Sequence, residues 1–378
     1  MRVLITGANG FVGKNLQLRL SERKEVQVVC FTREHNLKQL PDMLQDVDFV
    51  FHLAGVNRPQ DPGEFQAGNA ALTRVLCRAV TSVAKATGRT IPILYASSTQ
   101  AALDNLYGRS KREAESALLE TGRDPQVPVH VFRLPNVFGK WCKPNYNSAV
   151  ATFCHNIARD LPIQVNDPQA VLTLVYVDDV MQRFVLLMDG ADASLGPDGF
   201  ETFAPQYTIT VGELARQIRV FRENRSTLMT DRVGTGLLRA LYSTYVSYLP
   251  VETFAYEIPQ HIDPRGVFVE MLKTPDCGQF SFFTARAGVT RGGHYHHSKT
   301  EKFLVIKGRA LFRFRHMLTG QTHELHTSGD KSQIVETVPG WTHDITNIGS
   351  EEMVVMLWAN EIFEQARPDT YDCPLRPE

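Results

Sequence analysis

What this sequence lacks narrows its function before any motif is read. It has no run of about 18 uncharged apolar residues, so no segment is expected to span a bilayer. No long apolar stretch follows a basic start: after Met1-Arg2 the chain enters Val3-Leu4-Ile5 at once, and no secretory leader is expected. Excess charge is missing as well. Forty basic against 41 acidic side chains leave a formal net charge of −1, which gives no footing for a generic nucleic-acid or acidic-membrane partner. A local anion site is still compatible with that balance. The six cysteines (Cys30, Cys77, Cys142, Cys154, Cys277, Cys373) contain no Cys-x-x-Cys pair. Most are expected to be small buried apolar side chains of a cytoplasmic protein.

What is present is an ordinary globular composition, 43% hydrophobic and 21% charged over 378 residues, enough for two or three domains. Residues 2–20 read as a strand, a glycine-rich turn and a helix. Further strands are expected at Val26–Phe31, Val47–Leu53, Ile91–Ala96 and Val129–Arg133, with helices at Ala70–Ala86 and Val211–Phe221. Apolar strands alternating with helices predict a doubly wound α/β fold on a parallel sheet. After about Tyr245 the texture changes to alternating strands such as Phe303–Phe314, where Ala310, Phe312 and Phe314 share one face and Arg313 and Arg315 the other. Gly292-Gly293, Gly308, Gly320, Gly329, Gly340 and Gly349 fall between them at turn-like spacing. This predicts an all-β barrel or sandwich, and domains at 1–245 and 246–378.

Two clusters carry chemistry in the first part. Thr6-Gly-Ala-Asn-Gly-Phe-Val-Gly13 sets Gly7, Gly10 and Gly13 between strand and helix. Such glycines allow a tight turn, close backbone approach to a pyrophosphate and close helix–strand packing, and the helix N-terminus offers donors to phosphate. The second strand ends in Arg33 rather than an acid. A guanidinium there suits a 2′-phosphate and so favours NADPH; the other reading makes Arg33 a solvated surface cation. Further on, Tyr107 and Lys111 lie four apart, on one helix face, after Ser97-Ser98-Thr99. A nearby ammonium should lower the tyrosine pKa, letting Tyr107 protonate a developing alkoxide while a serine polarises the carbonyl.

In the second part, Gly288-x5-His294-Tyr-His296-x4-Glu301-x6-Gly308 has metal-ligand spacing. On a strand His294 and His296 share a face, and Glu301 with His343 would complete a four-ligand site. Zinc suits these ligands, with iron or manganese as alternatives. Histidines used for proton transfer without metal are the other reading. Tyr295, Lys302 and Asp344 neighbour the ligands and are candidate proton carriers, with structural roles equally open.

These residues support a resemblance. With His52-Leu-Ala-Gly55, Asn69, Arg133-Leu-Pro-Asn-Val-Phe-Gly139 and Val175-Tyr-Val-Asp-Asp-Val180, residues 1–245 resemble an extended short-chain dehydrogenase/reductase, Rossmann-like in fold. The resemblance implies Ser98 (or Thr99), Tyr107 and Lys111 as catalytic residues. It places Gly7, Asn9, Gly10, Phe11, Gly13, Arg33, Leu53, Ala54, Gly55, Tyr107 and Lys111 against the coenzyme. Two departures matter. About twenty residues between Phe31 and His52 leave little room for the usual third strand, and Gln100-Ala101 replaces the Asp-Glu pair of sugar dehydratases. The later half resembles a cupin, with Gln333 and Gly340 departing from its second motif. With His261–Glu270, Gly293–Leu304, Trp358–Phe363 and Arg367–Tyr371, the whole chain resembles the CapF/WbjC-type capsular and O-antigen polysaccharide enzymes. That implies C3 epimerisation of a UDP-2-acetamido-2,6-dideoxy-hexos-4-ulose in the cupin, then C4 reduction with NADPH to UDP-2-acetamido-2,6-dideoxy-L-talose, on the way to UDP-N-acetyl-L-fucosamine. A homodimer is expected. Two rival expectations are a reductase whose cupin only binds or dimerises, and a redox-neutral epimerase that retains its cofactor.

Overall fold

The computed structural model describes residues 1–297, 299–366 and 368–375. Ser298 and Arg367, which fall in matched segments, lie outside the described residues. Contacts divide the chain into two units, one of residues 1–218 with 240–249, the other of 219–239 with the chain from 250 onward. The expected boundary at 245/246 places 219–239 elsewhere, because a single continuous helix carries the chain across the division.

In the first unit, β1 (Arg2–Thr6), α1 (Phe11–Ser21), β2 (Gln27–Phe31), α2 (Leu40–Leu44), β3 (Phe49–His52), α3 (Gly63–Phe65), α4 (Leu72–Thr87), β4 (Ile93–Ser98), α5 (Leu106–Thr121) and β5 (Val129–Leu134) follow in order. The five strands form one parallel sheet in the order β2-β1-β3-β4-β5. Burial on both faces explains the unbroken apolar runs. Leu4, Val50, Ile93, Tyr95 and Val131 meet Leu40, Leu76, Val80, Ala114 and Leu118 on one side. Phe51 and Phe132 meet Phe184 on the other. The stretch between β2 and β3 holds a 3-10 turn and α2 and adds no strand beyond β2, as its length foretold. Strand order reverses between β1 and β3, so the carboxyl ends of these two open a crevice where such sheets take ligands.

A small sheet of β6 (Asn136–Phe138), β7 (Val171–Tyr176) and β8 (Tyr207–Thr210) follows, with α6 (Ala149–Ile157) and α7 (Val177–Met188) between its strands. Then come α8 (Val211–Thr227), which runs beyond the expected Phe221 end, and α9 (Gly236–Val246).

The second unit is antiparallel. Its strands are β9 (His261–Asp263), β10 (Gly266–Thr274), β11 (Gly278–Ala285), β12 (Thr290–Tyr295), β13 (Glu301–Lys307), β14 (Arg309–His316), β15 (Thr322–Ser328), β16 (Ile334–Glu336), β17 (Trp341–Asn347), β18 (Met353–Ala359) and β19 (Tyr371–Asp372). They form two sheets, β16-β13-β18-β11-β10-β9 and β15-β14-β17-β12-β19, a cupin-type all-β architecture. Phe283, Phe303, Val305, Phe312, Phe314, Ile345 and Val355 fill its core. The run Phe303–Phe314 is two strands, β13 and β14, divided at Gly308 with φ +93°, where its turn-like spacing put a break. Gly292 and Gly293 mark no turn: they sit within β12, at the register shift of a bulge against β17, with φ +91° and +83°. Among the described residues no helix is long and apolar enough to cross a membrane.

Candidate active site

The glycine turn does three separate jobs. Gly7 takes φ +71°, and a Cβ there would lie 2.6 Å from the Ala54 nitrogen. Any larger residue would push apart the ends of β1 and β3. A Cβ on Gly13 would lie 2.4 Å from the Gly7 carbonyl oxygen, so the third glycine seats α1 against the turn. Gly10 caps α1 with no side-chain hydrogen bond and no acid in the first turn. Its backbone N–H groups and positive dipole end are therefore left for an anion.

A cleft of about 1080 Å³ opens over this turn, at the upper end of small-molecule sites. Gly7, Asn9, Gly10, Arg33, Leu53, Ala54 and Gly55 line it; Phe11 and Gly13 sit behind it in α1. The sequence did not reveal Glu34, His35 and Leu37, which share the rim with Arg33. Exposed Arg33 thus stands next to exposed Glu34, and both signs of charge face the opening. A dinucleotide fits these residues: uncapped amides for the pyrophosphate, and a backbone that glycine keeps accessible.

Tyr107 and Lys111 come from the first turns of α5, which Asn105 caps by accepting from the Gly108 N–H. Ser98 ends β4 and accepts from the Gln100 N–H. Burial pushes the Tyr107 phenol up, partly offset by its hydrogen bond with Ser98. That reverses the expected lowering. The Lys111 ammonium donates to the Ala96 carbonyl oxygen at 2.9 Å and lies 4.3 Å from the Tyr95 ring centroid. Burial brings Lys111 itself down to about 7, opposed by the charge of Glu115. Glu115 is buried one turn further along α5, held at 2.5 Å by Ser97 and in a paired contact, 3.0 and 2.7 Å, with Arg133. Of the neighbouring serines, then, Ser97 is committed to this network and Ser98 reaches Tyr107.

Asn69 organises the approach to the cleft. It lies in a π-type turn, Gln66–Ala71, a geometry common at functional sites. Its amide accepts from the Val56 N–H (2.8 Å), and donates to the Val56 carbonyl (3.0 Å) and to Ser110 (2.9 Å). A Cβ on Gly55 would stand 3.8 Å from Lys111 Nζ.

In the second unit His294, His296, Glu301 and His343 converge, their potential ligand atoms within 4.8 Å of one another. The β12 bulge sets His294 opposite His343 of β17, ring centroids 4.8 Å apart. His296 donates from Nδ1 to the Asp369 carbonyl oxygen at 2.5 Å, which leaves Nε2 facing Glu301 at 3.2 Å. Among the described residues Nδ1 of His343 is buried without a hydrogen-bond partner, and its Nε2, also buried, stands 3.5 Å from Glu301. Burial lowers His294 to about 4, so its imidazole is neutral at physiological pH. Burial alone would raise Glu301, but His296, His343 and Lys299 outweigh it and hold the carboxyl well below the usual range. Three imidazoles, one of them with an unpartnered buried nitrogen, and one carboxylate are what a borderline divalent cation requires, and the four residues fit one.

The three candidate proton carriers are placed otherwise. Tyr295 stacks on Tyr371, Lys302 pairs with Glu336, and Asp344 takes a paired contact from Arg313 at 2.9 and 2.8 Å. Each is adjacent in sequence to a ligand, and on a strand adjacent side chains point to opposite faces. Missed by the sequence, buried Lys299 brings its ammonium 3.4 Å from Glu301.

Residues 3–201 match the model of the NAD dependent epimerase/dehydratase family, and 261–371 that of the polysaccharide biosynthesis C-terminal domain. The chain is 62% identical, over 99% of its length and 98% of the relative's, to the UDP-2-acetamido-2,6-beta-L-arabino-hexul-4-ose reductase of Pseudomonas aeruginosa. It belongs to the CapF/WbjC-type family. The crystal structure of the capsular polysaccharide assembling protein CapF from Staphylococcus aureus is similar over 99% of this chain and 100% of that one, with TM-score 0.89 and 40% identity. A CapF structure with the inhibitor 3-isopropenyl-tropolone covers 99% of this chain and all of that one at TM-score 0.85 and 37% identity. The UDP-glucose 4-epimerase of Thermotoga maritima shares the fold at TM-score 0.53 and 18% identity, over 66% of this chain and 98% of that one. The family implies a nicotinamide coenzyme.

Proposed function

We propose that this protein is a bifunctional nucleotide-sugar enzyme: an NADPH-dependent reductase of a UDP-2-acetamido-2,6-dideoxy-hexos-4-ulose whose cupin unit first epimerises C3. The observation that carries this reading is identity of 62% over essentially the whole length of a reductase named for a 4-ketosugar, so that both sites fall inside the similarity.

The chemistry joins the two sites through one carbonyl. A C4 ketone acidifies the C3 proton; loss and return of that proton on the opposite face inverts C3. A divalent ion held by His294, His296, Glu301 and His343, zinc by ligand type, would supply positive charge for the electron-rich oxygen. Lys299 adds a second cation beside it. The tropolone inhibitor of the similar CapF is an adjacent oxygen pair of the kind that chelates such ions. In the reductase site, bound NADPH would supply hydride to C4. In this reading Tyr107 gives the alkoxide its proton, Ser98 orients that phenol, and Lys111 holds positive charge behind it. Arg33 favours the 2′-phosphate of NADPH over NADH. Reduction removes the ketone and fixes the new centre, giving the L-talo sugar that precedes UDP-N-acetyl-L-fucosamine. The cytoplasm, where sugar nucleotides are made, is the compartment that fits, with the homodimer as the expected assembly.

Solvent deuterium decides it. In D₂O without NADPH, the full chain should exchange the C3 proton of the ketosugar, and Tyr107→Phe should exchange normally while losing C4 reduction. No exchange in the native protein would remove the epimerase; turnover of NADPH by Tyr107→Phe near the native rate would remove Tyr107 as proton donor.

A further inference from the structure

The loop after β6 gathers exposed aromatic and cationic groups that neither site described above uses. Trp141 is 50% exposed and holds φ +67°; Asn145 holds φ +54°. For Trp141 this is a conformation that bulky residues avoid, and such strain concentrates at functional positions, whereas asparagine adopts it readily. The loop is tied down at both ends, Cys142 N–H to the Gly139 carbonyl at 3.4 Å and Asn145 N–H to Thr152 Oγ1 at 3.0 Å. Tyr146 donates from its hydroxyl to Asn57 Oδ1 at 2.9 Å, joining this loop to the segment that follows β3. Two cations flank its ring: Lys143 Nζ 5.3 Å and Arg58 Cζ 5.9 Å from the centroid. Neither has a carboxylate partner among the described residues, whereas Lys140 in the same loop is paired with Asp178.

Position gives this patch meaning. Arg58 is three residues beyond Gly55, a distance of at most about 10 Å along the chain. Gly55 lies beside Lys111, and the intervening Val56 is clamped by Asn69. The unpaired cations therefore stand within one sugar-phosphate's reach of the reductase residues. We propose that Arg58, Trp141, Lys143 and Tyr146 form the subsite for the uridine diphosphate portion of the substrate. Arg58 and Lys143 neutralise the two phosphates, Arg58 as a fork of paired donors, and the open face of Trp141 stacks the pyrimidine. The subsite rests on the nucleotide-sugar reading above and adds the residues that grip the nucleotide.

The test uses UDP itself, titrated calorimetrically into the full chain. The Arg58→Ala/Lys143→Ala double variant should bind UDP at least about tenfold more weakly, since charge-assisted contacts of this kind are each worth about that factor. Its KM for the ketosugar should rise in step while kcat stays within about twofold, the pattern expected when binding shared by ground and transition states is lost. NADPH affinity should not change, which reports that the exposed substitutions leave the fold intact. Trp141→Phe should abolish any UDP-dependent change in tryptophan fluorescence. Native-like UDP affinity in the double variant would overturn the subsite and leave the nucleotide-sugar reading standing. A native protein that binds NADPH but not UDP would overturn both.

Discussion

A lysine that is 3% exposed would shed its proton to avoid burying a charge, and Lys111 is held near the balance point, its pKa brought down to about 7. The groups around it are His52, neutral with its pKa pushed down to about 3 by burial, Tyr95 and Tyr107, both raised by burial, and the buried carboxylate Glu115. The folded pKa lies below the ordinary 10.5. The unfolded chain therefore binds more protons between those values, and stability rises with pH from about 7 to about 10. Below 7 the cost of the buried charge is present in full. Lys111→Met is thus expected to raise the thermal midpoint at pH 6 by several degrees, at about 2–4 °C per kcal/mol for a unit of this size. That gain should shrink by pH 10, while reduction is lost throughout. Calorimetry across that range checks it; a variant less stable at every pH would mean that Lys111 and Glu115 stabilise each other more than burial costs. The Tyr-x-x-x-Lys pattern was legible because helical spacing is local. The direction of the Tyr107 shift was not, because desolvation depends on Tyr95 and the sheet beneath it, which no spacing reports.

At the scale of elements, the convergence of the His/Glu cluster was legible for the same local reason: a period of two aligns His294 with His296. The same period should have excluded Tyr295, Lys302 and Asp344, each one residue from a ligand and so turned to the other face. Two features had no signal. The tandem glycines read as a turn, although their left-handed backbone makes a bulge that aims His294 at His343. The chain near the C-terminus carried no ligand motif, yet it supports the cluster. Asp369 orients His296 through its carbonyl, and its carboxylate accepts the N–H groups of His297 and Lys299 at 2.9 and 2.8 Å. β19 then pairs with β12 beside His294. Outer contacts of this kind typically govern affinity by about 10–100-fold. Asp369→Ala keeps the carbonyl that His296 donates to but removes the carboxylate that anchors it, and is expected to weaken zinc binding by up to about that factor, read by competition with a chromophoric chelator, while the β-sheet circular dichroism is kept. Unchanged affinity would reduce the strap to packing.

For the whole molecule, the change from helical to alternating texture correctly announced two architectures and misplaced the seam. The helix α8 gives no local sign of the division: Leu214, Ile218 and Phe221 continue one buried stripe across it. The sign is tertiary. The Lys273 N–H donates to the Leu228 carbonyl and the Thr230 N–H to the Lys273 carbonyl, both at 2.8 Å, and Arg232 pairs with Asp276 at 2.6 Å. Residues 219–239 thus give β10 hydrogen bonds that a fragment starting at 246 would leave unmade at Lys273. Lost backbone pairing costs about 0.5–1.5 kcal/mol per bond where water replaces it, and more where it cannot. A fragment from 219 onward should therefore unfold several degrees above one from 246 onward, and should retain more zinc at equal concentration. Equal midpoints would show that this segment is carried by the second unit without supporting it.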